Sequence, residues 1–432
     1  MSRPLLLKNG RIIDPANNVD RIGDLLVMAD KCQAAVGSPP ADAVEIDLTG
    51  KWLLPGLIDI HVHLREPGEE YKETIASGIA AAAAGGFCAV ACMPNTNPPL
   101  DSESAIAFVR ERARSARGAR VYPVGAISRG SNGQELADMG EMRRAGAVAF
   151  SDDGHPVGDS QLMRRALEYA SNYNCPIISH SEELSLSRNG AMNEGAFATR
   201  LGLQGIPGAA EEIMVYRDLA LAAYTGQRLH LAHISTAESV ALIRRAKAAG
   251  CPVTAETTPH YFSLTEEAVG SYDTNAKMNP PLRTAADVKA VKEGLRDGTL
   301  DAIATDHAPH SELEKEVEFA QAANGIIGLE TSLPLALGLV WEGVIDEKRL
   351  VELMSVNPAR IIGVEGGSLA TGQRADITVV DPALEFCYER RDIISRSKNS
   401  PFIGRHFTGR AVLTIVNGEI VYDAGKQETE NR

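Results

Sequence analysis

Between Lys51 and about Ser355 the chain repeats one pattern: a short, unbroken apolar run, followed by a longer amphipathic stretch. Eight runs fit it: LPGLIDIHV, GFCAVACM, RVYPVGAI, AVAFS, CPIISH, RLHLAHI, CPVTAE and LDAIATD. Because they are continuous rather than alternating, they read as strands buried on both faces, with the amphipathic stretches as the helices that cover a parallel sheet. Eight such units predict an α/β fold with a closed (β/α)8 barrel of TIM type. Helix starts are marked by Ser235 with Glu238, a capping box before VALIRRAKAA, and by Asp101 before SESAIAFVRERA.

The two ends of the chain are patterned differently. Residues 4–52 and 366–432 are short strand-like segments joined by Asn-Gly, Gly-Gly and Asp-containing turns. Neither end alone has enough strands for a stable sheet. The expectation is one small β-sandwich domain built from residues 1–53 and 364–432, beside a barrel over residues 54–363. A chain of 432 residues has room for one large core and such a satellite.

Charge narrows the choice of partners. A formal net charge of -14 argues against a general nucleic-acid or anionic-membrane surface, so an anionic substrate would have to be held by local arginines. The six cysteines, Cys32, Cys88, Cys92, Cys175, Cys251 and Cys387, form no CxxC pair, and no apolar leader opens the chain. Apolar runs all stop well short of the roughly 18 residues a membrane span requires. A soluble protein of the reducing cytoplasm is expected.

Polar residues gather where the predicted strands end, which is where barrels of this kind place their chemistry. His61 and His63 close the first run and share a face; Asp152 and Asp153 close AVAFSDD; His180, His233 and Asp306 close three more. A lone histidine or Asp-Gly is ordinarily a core or turn residue, but five strand ends offering imidazole and carboxylate without thiolate predict a metal centre. Four His and two Asp exceed the needs of one tetrahedral ion, so two divalent ions with a bridging carboxylate are expected. Strand alternation turns only one of Asp152 and Asp153 inward. His155, His230, His260, His307 and His406 are assigned no ligand role, and His230 reads as a core or hydrogen-bonded residue.

The stretches PGLIDIHVHLREPG, MPNTNPP, FSDDG, HIST, MNPPLR and ATDHAPH, in this order along the whole barrel, resemble the dihydroorotases, in the bacterial type I branch of the amidohydrolase superfamily. NPARIIG and ADITVVDP are also similar to that superfamily. The resemblance implies metal ligation by His61, His63, Asp153, His180, His233 and Asp306, with His61 and His63 on one ion, Asp153 bridging, and His180 and His233 on the second. It implies that Asp306 shuttles the proton and that Arg65, Asn95 and His310 hold a substrate carboxylate. Asn279, Asn324 and Gly325 would be further substrate contacts, and His63 borders the substrate as well. The implied cofactor is Zn2+, two ions per chain. The implied reaction is reversible cyclisation of N-carbamoyl-L-aspartate to L-dihydroorotate plus water, through a metal-bridged hydroxide with Asp306 as base and then acid. A homodimer and an association with aspartate carbamoyltransferase follow as partner expectations, and residues 307–319 as a lid.

Two alternatives compete. Dihydropyrimidinase, hydantoinase and allantoinase share the barrel and metal pair but usually bridge the metals with a carboxylated lysine, and this chain has no lysine between Lys72 and Lys247. A non-catalytic scaffold for aspartate carbamoyltransferase would have lost metal ligands, and none is lost here. One departure from the family pattern stands at Thr258-Pro259-His260-Tyr261, where a second histidine is usual; it bears on loop packing rather than on chemistry.

Overall fold

The computed structural model describes residues 3–35 and 39–426; the remaining positions, all within the two terminal segments, lie outside the described residues. Each predicted apolar run supplies a piece of parallel pairing. Leu57–Val62 pairs with Phe87–Cys92, and that strand with Arg120–Pro123. Bridges from Gly125 to Phe150 and from Phe150 to Ile177 continue the series. Ile177–Ser179, Leu229–Leu231, Val253–Thr257 and Ala302–Ile303 then pair in turn. A parallel bridge between His307 and Val62 returns to the first strand, and His63 N donates to His307 O at 2.8 Å. The chain is therefore a mixed α/β fold of TIM-barrel type.

Two shells of apolar side chains account for this arrangement. An inner cluster joins Ile58, Ile60, Ala89, Ala91, Val124, Ala149, Ile178, Ala232, Ala302 and Ala304. Small residues predominate there because side chains from neighbouring strands converge on one axis. The outer cluster packs Leu57, Val62, Phe87, Val90 and Leu231 against helix residues such as Ile79, Leu167, Ile243 and Leu333.

Both chain ends meet in one sheet. Its order is Glu419–Asp423, His406–Val416, Ile377–Cys387, Trp52–Pro55, Leu5–Asp14, Val19–Met28 and Lys31–Ala34, with Val44–Asp47 on Leu5–Asp14. Trp52 and Leu53 pair in parallel with Arg11 and Ile12 on one side and antiparallel with Val380 and Val379 on the other. A separate cluster, including Leu7, Ile12, Leu25, Leu53, Ile377 and Ile415, forms the core of this sheet. The segment between its strands Ile377–Cys387 and His406–Val416 also fastens the barrel: the half-buried Glu330, on helix Leu329–Trp341, accepts from Ile394 N and Ser395 N.

Two helix starts differ from the sequence reading. Helix Ala237–Ala248 is capped by Thr236, which accepts from Ser239 N, and not by Ser235 with Glu238. Ser235 is taken instead by Glu211 of the preceding helix, Ala209–Thr225, and by Arg283. Helix Glu103–Arg114 is capped by Ser102, while Asp101 accepts from Gly130 N at 2.9 Å. In both places a long-range partner claims the oxygen that local spacing offers to the helix.

The six cysteines are all free, and among the described residues no helix is long and apolar enough to cross a membrane.

Candidate metal centre

The first barrel strand sets the centre's geometry by breaking its own alternation. Ile58 and Ile60 point to the inner cluster, whereas Leu57, Val62 and Leu64 pack outward. The register against Phe87–Cys92 slips between Asp59 and Val62. Such a slip re-aims the following residues, so His61 and His63 continue inward after Ile60. Asp59, fully buried, anchors the slip by accepting from His61 N at 3.0 Å and from Thr305 N at 3.2 Å.

Strand ends across the ring bring the remaining groups to the same point. His61 Nε2 lies 3.3 Å from Asp153 Oδ1 and 3.6 Å from Asp306 Oδ1. His63 Nε2 lies 2.9 Å from Asp306 Oδ1 and 3.5 Å from Asp153 Oδ2. His180 Nδ1 and His233 Nε2 are 2.8 Å apart and lie 3.5 and 3.6 Å from Asp153 Oδ1. All six side chains are buried. Asp153 thus turns Oδ1 toward His61, His180 and His233 together and Oδ2 toward His63, so one carboxylate meets both histidine pairs. Asp152 is turned away, accepting from Ile127 N at 2.8 Å, Ser128 N at 3.1 Å and the Ser128 hydroxyl.

The donors fit a cation. His61, Asp153 and His233 form one triad and His61, His63 and Asp306 another, each with ligand atoms within 4.8 Å of one another. His61 Nε2 and Asp153 Oδ1 are buried without any hydrogen-bond partner. Leaving such atoms unpaired costs about 1–3 kcal/mol each, a cost that a shared cation removes. Charge within the cluster is polarised accordingly. Burial pushes the Asp153 carboxyl up, but His61, His180 and His233 outweigh it and hold the group well below the usual carboxylate range. Asp306 is likewise held low, its burial overcome by His63, His61 and His233. His180 is pushed up to about 10, because Asp153 and Glu182 overcome the effect of burial.

Three of the site residues adopt left-handed backbone without being glycine: Arg65 at φ 60°, His233 at φ 36° and Asp306 at φ 48°. Each such residue stores on the order of 1–3 kcal/mol, and such strain gathers at functional sites.

A second group lies beside the centre. Arg65 is buried, donating from Nε to Pro309 O at 3.2 Å, and its nearest carboxylate is Glu69 at 3.9 Å. His310 Nε2 lies 2.8 Å from the carbonyl of Asn324, to which it donates, and 3.3 Å from Arg65 Nη2. His63 Nδ1 donates to Asn95 Oδ1 at 2.8 Å. Gly325, at φ 123°, presses so closely on Ala308 that a Cβ there would lie 2.6 Å from the alanine's own. Lys315 holds the Gly325 carbonyl at 3.0 Å. Asn279 Nδ2 donates to Glu182 Oε1 at 3.0 Å. Arg65, Asn95, His310, Asn324 and Gly325 therefore share one neighbourhood, with Asn279 attached through Glu182 and His180.

Sequence reasoning passes over two carboxylates of this site. Glu256 accepts from His61 Nδ1 at 2.7 Å and from His230 Nε2 at 3.1 Å, and His230 Nδ1 meets Thr254 Oγ1 at 2.8 Å. Glu182 Oε2 accepts from His180 Nε2 at 3.0 Å. A signal for Glu256 exists in CPVTAE, where an acid closes an otherwise buried strand. His230 is hydrogen-bonded within the core, as expected for a histidine off the rim.

Comparison with known proteins settles the family. A family model described as "Dihydro-orotase-like" matches residues 50–239. A dihydroorotase of Desulfotalea psychrophila is 58% identical over 418 residues, covering 97% of this chain and 99% of that protein. The chain belongs to the dihydroorotase family. Another dihydroorotase, from Geotalea daltonii, is 56% identical over 420 residues, covering 97% of this chain and 99% of that one. Among solved structures, an L-hydantoinase (dihydropyrimidinase) from Arthrobacter aurescens aligns with a TM-score of 0.87 at 27% identity, over 98% of this chain and 97% of its own. The dihydroorotase motifs thus sit on a fold shared with other cyclic amidohydrolases, and the chain is an enzyme of that kind.

Proposed function

We propose that the chain interconverts N-carbamoyl-L-aspartate and L-dihydroorotate plus water, the ring-closing step of pyrimidine nucleotide biosynthesis, in the cytoplasm. The observation that carries this reading is the buried guanidinium of Arg65 beside the metal-binding cluster. A buried cation 3.9 Å from its nearest carboxylate is satisfied by an anionic ligand, and a ring bearing a carboxylate supplies one in bidentate geometry. Hydantoin and dihydrouracil carry no such group.

His61, His63 and Asp306 would hold one Zn2+, His180 and His233 a second, and Asp153 would reach both. When bound, such ions supply a hydroxide nucleophile at neutral pH and a Lewis acid for the scissile carbonyl. The protein's own contribution is positional and protonic. Arg65, Asn95 and His310 grip the substrate carboxylate, and Asn279 with the Asn324–Gly325 backbone orients the ring. Asp306 takes up a proton at its carboxylate and returns it to the ring nitrogen as the C–N bond breaks; cyclisation runs these transfers in reverse. His63, fixed by Asn95, borders both metal and substrate.

The architecture behind this reading is a closed (β/α)8 barrel over residues 54–363 and a β-sandwich domain from 1–53 and 364–432, supported by the ring of parallel pairings and by the separate core of the terminal sheet. A homodimer, association with aspartate carbamoyltransferase and a lid at 307–319 belong to the same proposal. The test is to measure bound metal and to follow ring opening of L-dihydroorotate beside dihydrouracil and allantoin. Metal-dependent turnover of dihydroorotate alone is expected. Turnover of only the uncharged rings would favour a hydantoinase, and no metal with no turnover would favour a scaffold.

A further inference from the structure

Glu182 belongs to neither of the two metal-ligand triads, yet each oxygen of its carboxylate meets a residue of the site. One oxygen, Oε2, accepts from His180 Nε2 at 3.0 Å, and the other, Oε1, accepts from Asn279 Nδ2 at 3.0 Å. We infer that Glu182 is a positioning residue that couples the second metal position to substrate orientation. The inference rests on the proposed roles of His180 and Asn279.

The geometry gives each contact a definite consequence. In the neutral form that binds a cation, His180 keeps its proton on Nε2, where it donates to Glu182, and offers Nδ1, which faces His233 and lies 3.5 Å from Asp153 Oδ1. A carboxylate behind a metal-bound histidine fixes its tautomer and ring plane and strengthens it as a ligand. On the other side, the carboxylate can only accept, so it selects the flip state of the Asn279 amide in which NH2 points at Glu182. Asn279 therefore presents its Oδ1, an acceptor, to whatever occupies the site. A ring N–H is the complementary group. Since both contacts belong to one rigid carboxylate, rotation of Glu182 that improves one disturbs the other. Loss of the residue should damage metal retention and ring binding together, whereas loss of Asn279 should damage only ring binding.

The test uses the full chain with Glu182→Ala, Glu182→Gln, Asn279→Ala and the double variant Glu182→Ala/Asn279→Ala. Metal affinity is read by chelator competition with Zn2+, and KM and kcat for L-dihydroorotate are read separately. Glu182→Ala is expected to weaken the more loosely held Zn2+ by about 10–100-fold and to raise KM measured at saturating Zn2+ by roughly tenfold. Glu182→Gln, which keeps one acceptor for two donors, should fall between wild type and Ala on both readouts. Asn279→Ala should raise KM and leave Zn2+ affinity within twofold. The double variant should raise KM no further than the larger single change, because both substitutions remove the same orientation. Zn2+ affinity within twofold of wild type in Glu182→Ala and Glu182→Gln, or KM effects that multiply in the double variant, would overturn the coupling while leaving the proposed activity standing. Absence of Zn2+ binding and turnover in the wild-type chain would overturn that activity itself, and the coupling with it. Should Glu182→Ala fail to fold, the Gln variant decides on the same two readouts.

Discussion

Glu256 lies 2.7 Å from the Nδ1 of His61, on the side of the ring opposite the metal-binding atoms. Both residues are wholly buried, and the same carboxylate also receives His230. Burial pushes Glu256 up, but His230 and His61 outweigh it and hold the carboxyl down at about 2. It is therefore an obligate acceptor for two imidazole N–H groups. Replacing it by Gln leaves one acceptor and one donor facing two donors. Glu256→Gln is expected to lower Zn2+ affinity by about 10–100-fold, measured by chelator competition, with Glu256→Ala lower still and less stable. Unchanged affinity in both variants would sink the role.

Asp306 is both in the His61–His63 triad and the proposed carrier of the proton. Asn is nearly isosteric but has no ionisable oxygen. Asp306→Asn should lower kcat about 10²- to 10⁴-fold while L-dihydroorotate still binds with its KM changed by less than about tenfold. Metal content measured on the purified variant separates loss of proton transfer from loss of the ion.

For Arg65, the prediction concerns discrimination. Removing a buried charge-assisted contact costs about 1.5–3 kcal/mol, or roughly 10- to 150-fold in KM. Arg65→Lys should show much of this loss, because a single ammonium cannot reproduce the guanidinium fork. Weak turnover of dihydrouracil, where detectable, should not fall in parallel. Equal losses for charged and uncharged rings would count against carboxylate recognition.

Glu330 gives a pH dependence remote from the metal centre. Burial raises its carboxyl to about 7, despite the amides of Ile394 and Ser395. A raised folded value means that the native state binds the proton more tightly than the unfolded chain, whose carboxyl stays near 4.5. Stability is then fully present below about 4.5, declines as pH rises through the interval, and has been lost once pH passes about 7. At about 1.4 kcal/mol per unit the total is roughly 3–4 kcal/mol. Glu330→Gln keeps an acceptor for the amides and should flatten this part of the stability-against-pH curve in urea titrations. A variant with the wild-type slope would show that another group carries it.

Much of the site is legible in sequence because its members close apolar runs: His61, His63, Asp153, His180, His233 and Asp306 each stand where a buried strand meets a loop. The convergence follows from the barrel, since parallel strands deliver their ends to one rim. Less legible is why His61 and His63 face inward at all, for the register slip after Asp59 depends on its bonds to Thr305, far away in the chain. Glu256 and Glu182 are missed for a related reason. A single carboxylate has no periodicity, and what gives it meaning is the histidine that another strand sets against it. The caps at Ser235 and Asp101 are misread because Glu211, Arg283 and Gly130 claim those side chains across the fold. Local rules hold where no tertiary partner competes.

The pairing of Trp52–Pro55 between Leu5–Asp14 and Ile377–Cys387 also orders the chain's history on the ribosome. The strand that leads into His61 is made early, but one of its two neighbours emerges only after every barrel unit has been synthesised. Through most of translation it carries an unpaired edge, the kind of surface on which nascent chains stick to one another. The last strands thus act as a closing seal, and a nascent chain cut off after the barrel would leave the ribosome with its His61 strand tethered to a half-built sheet.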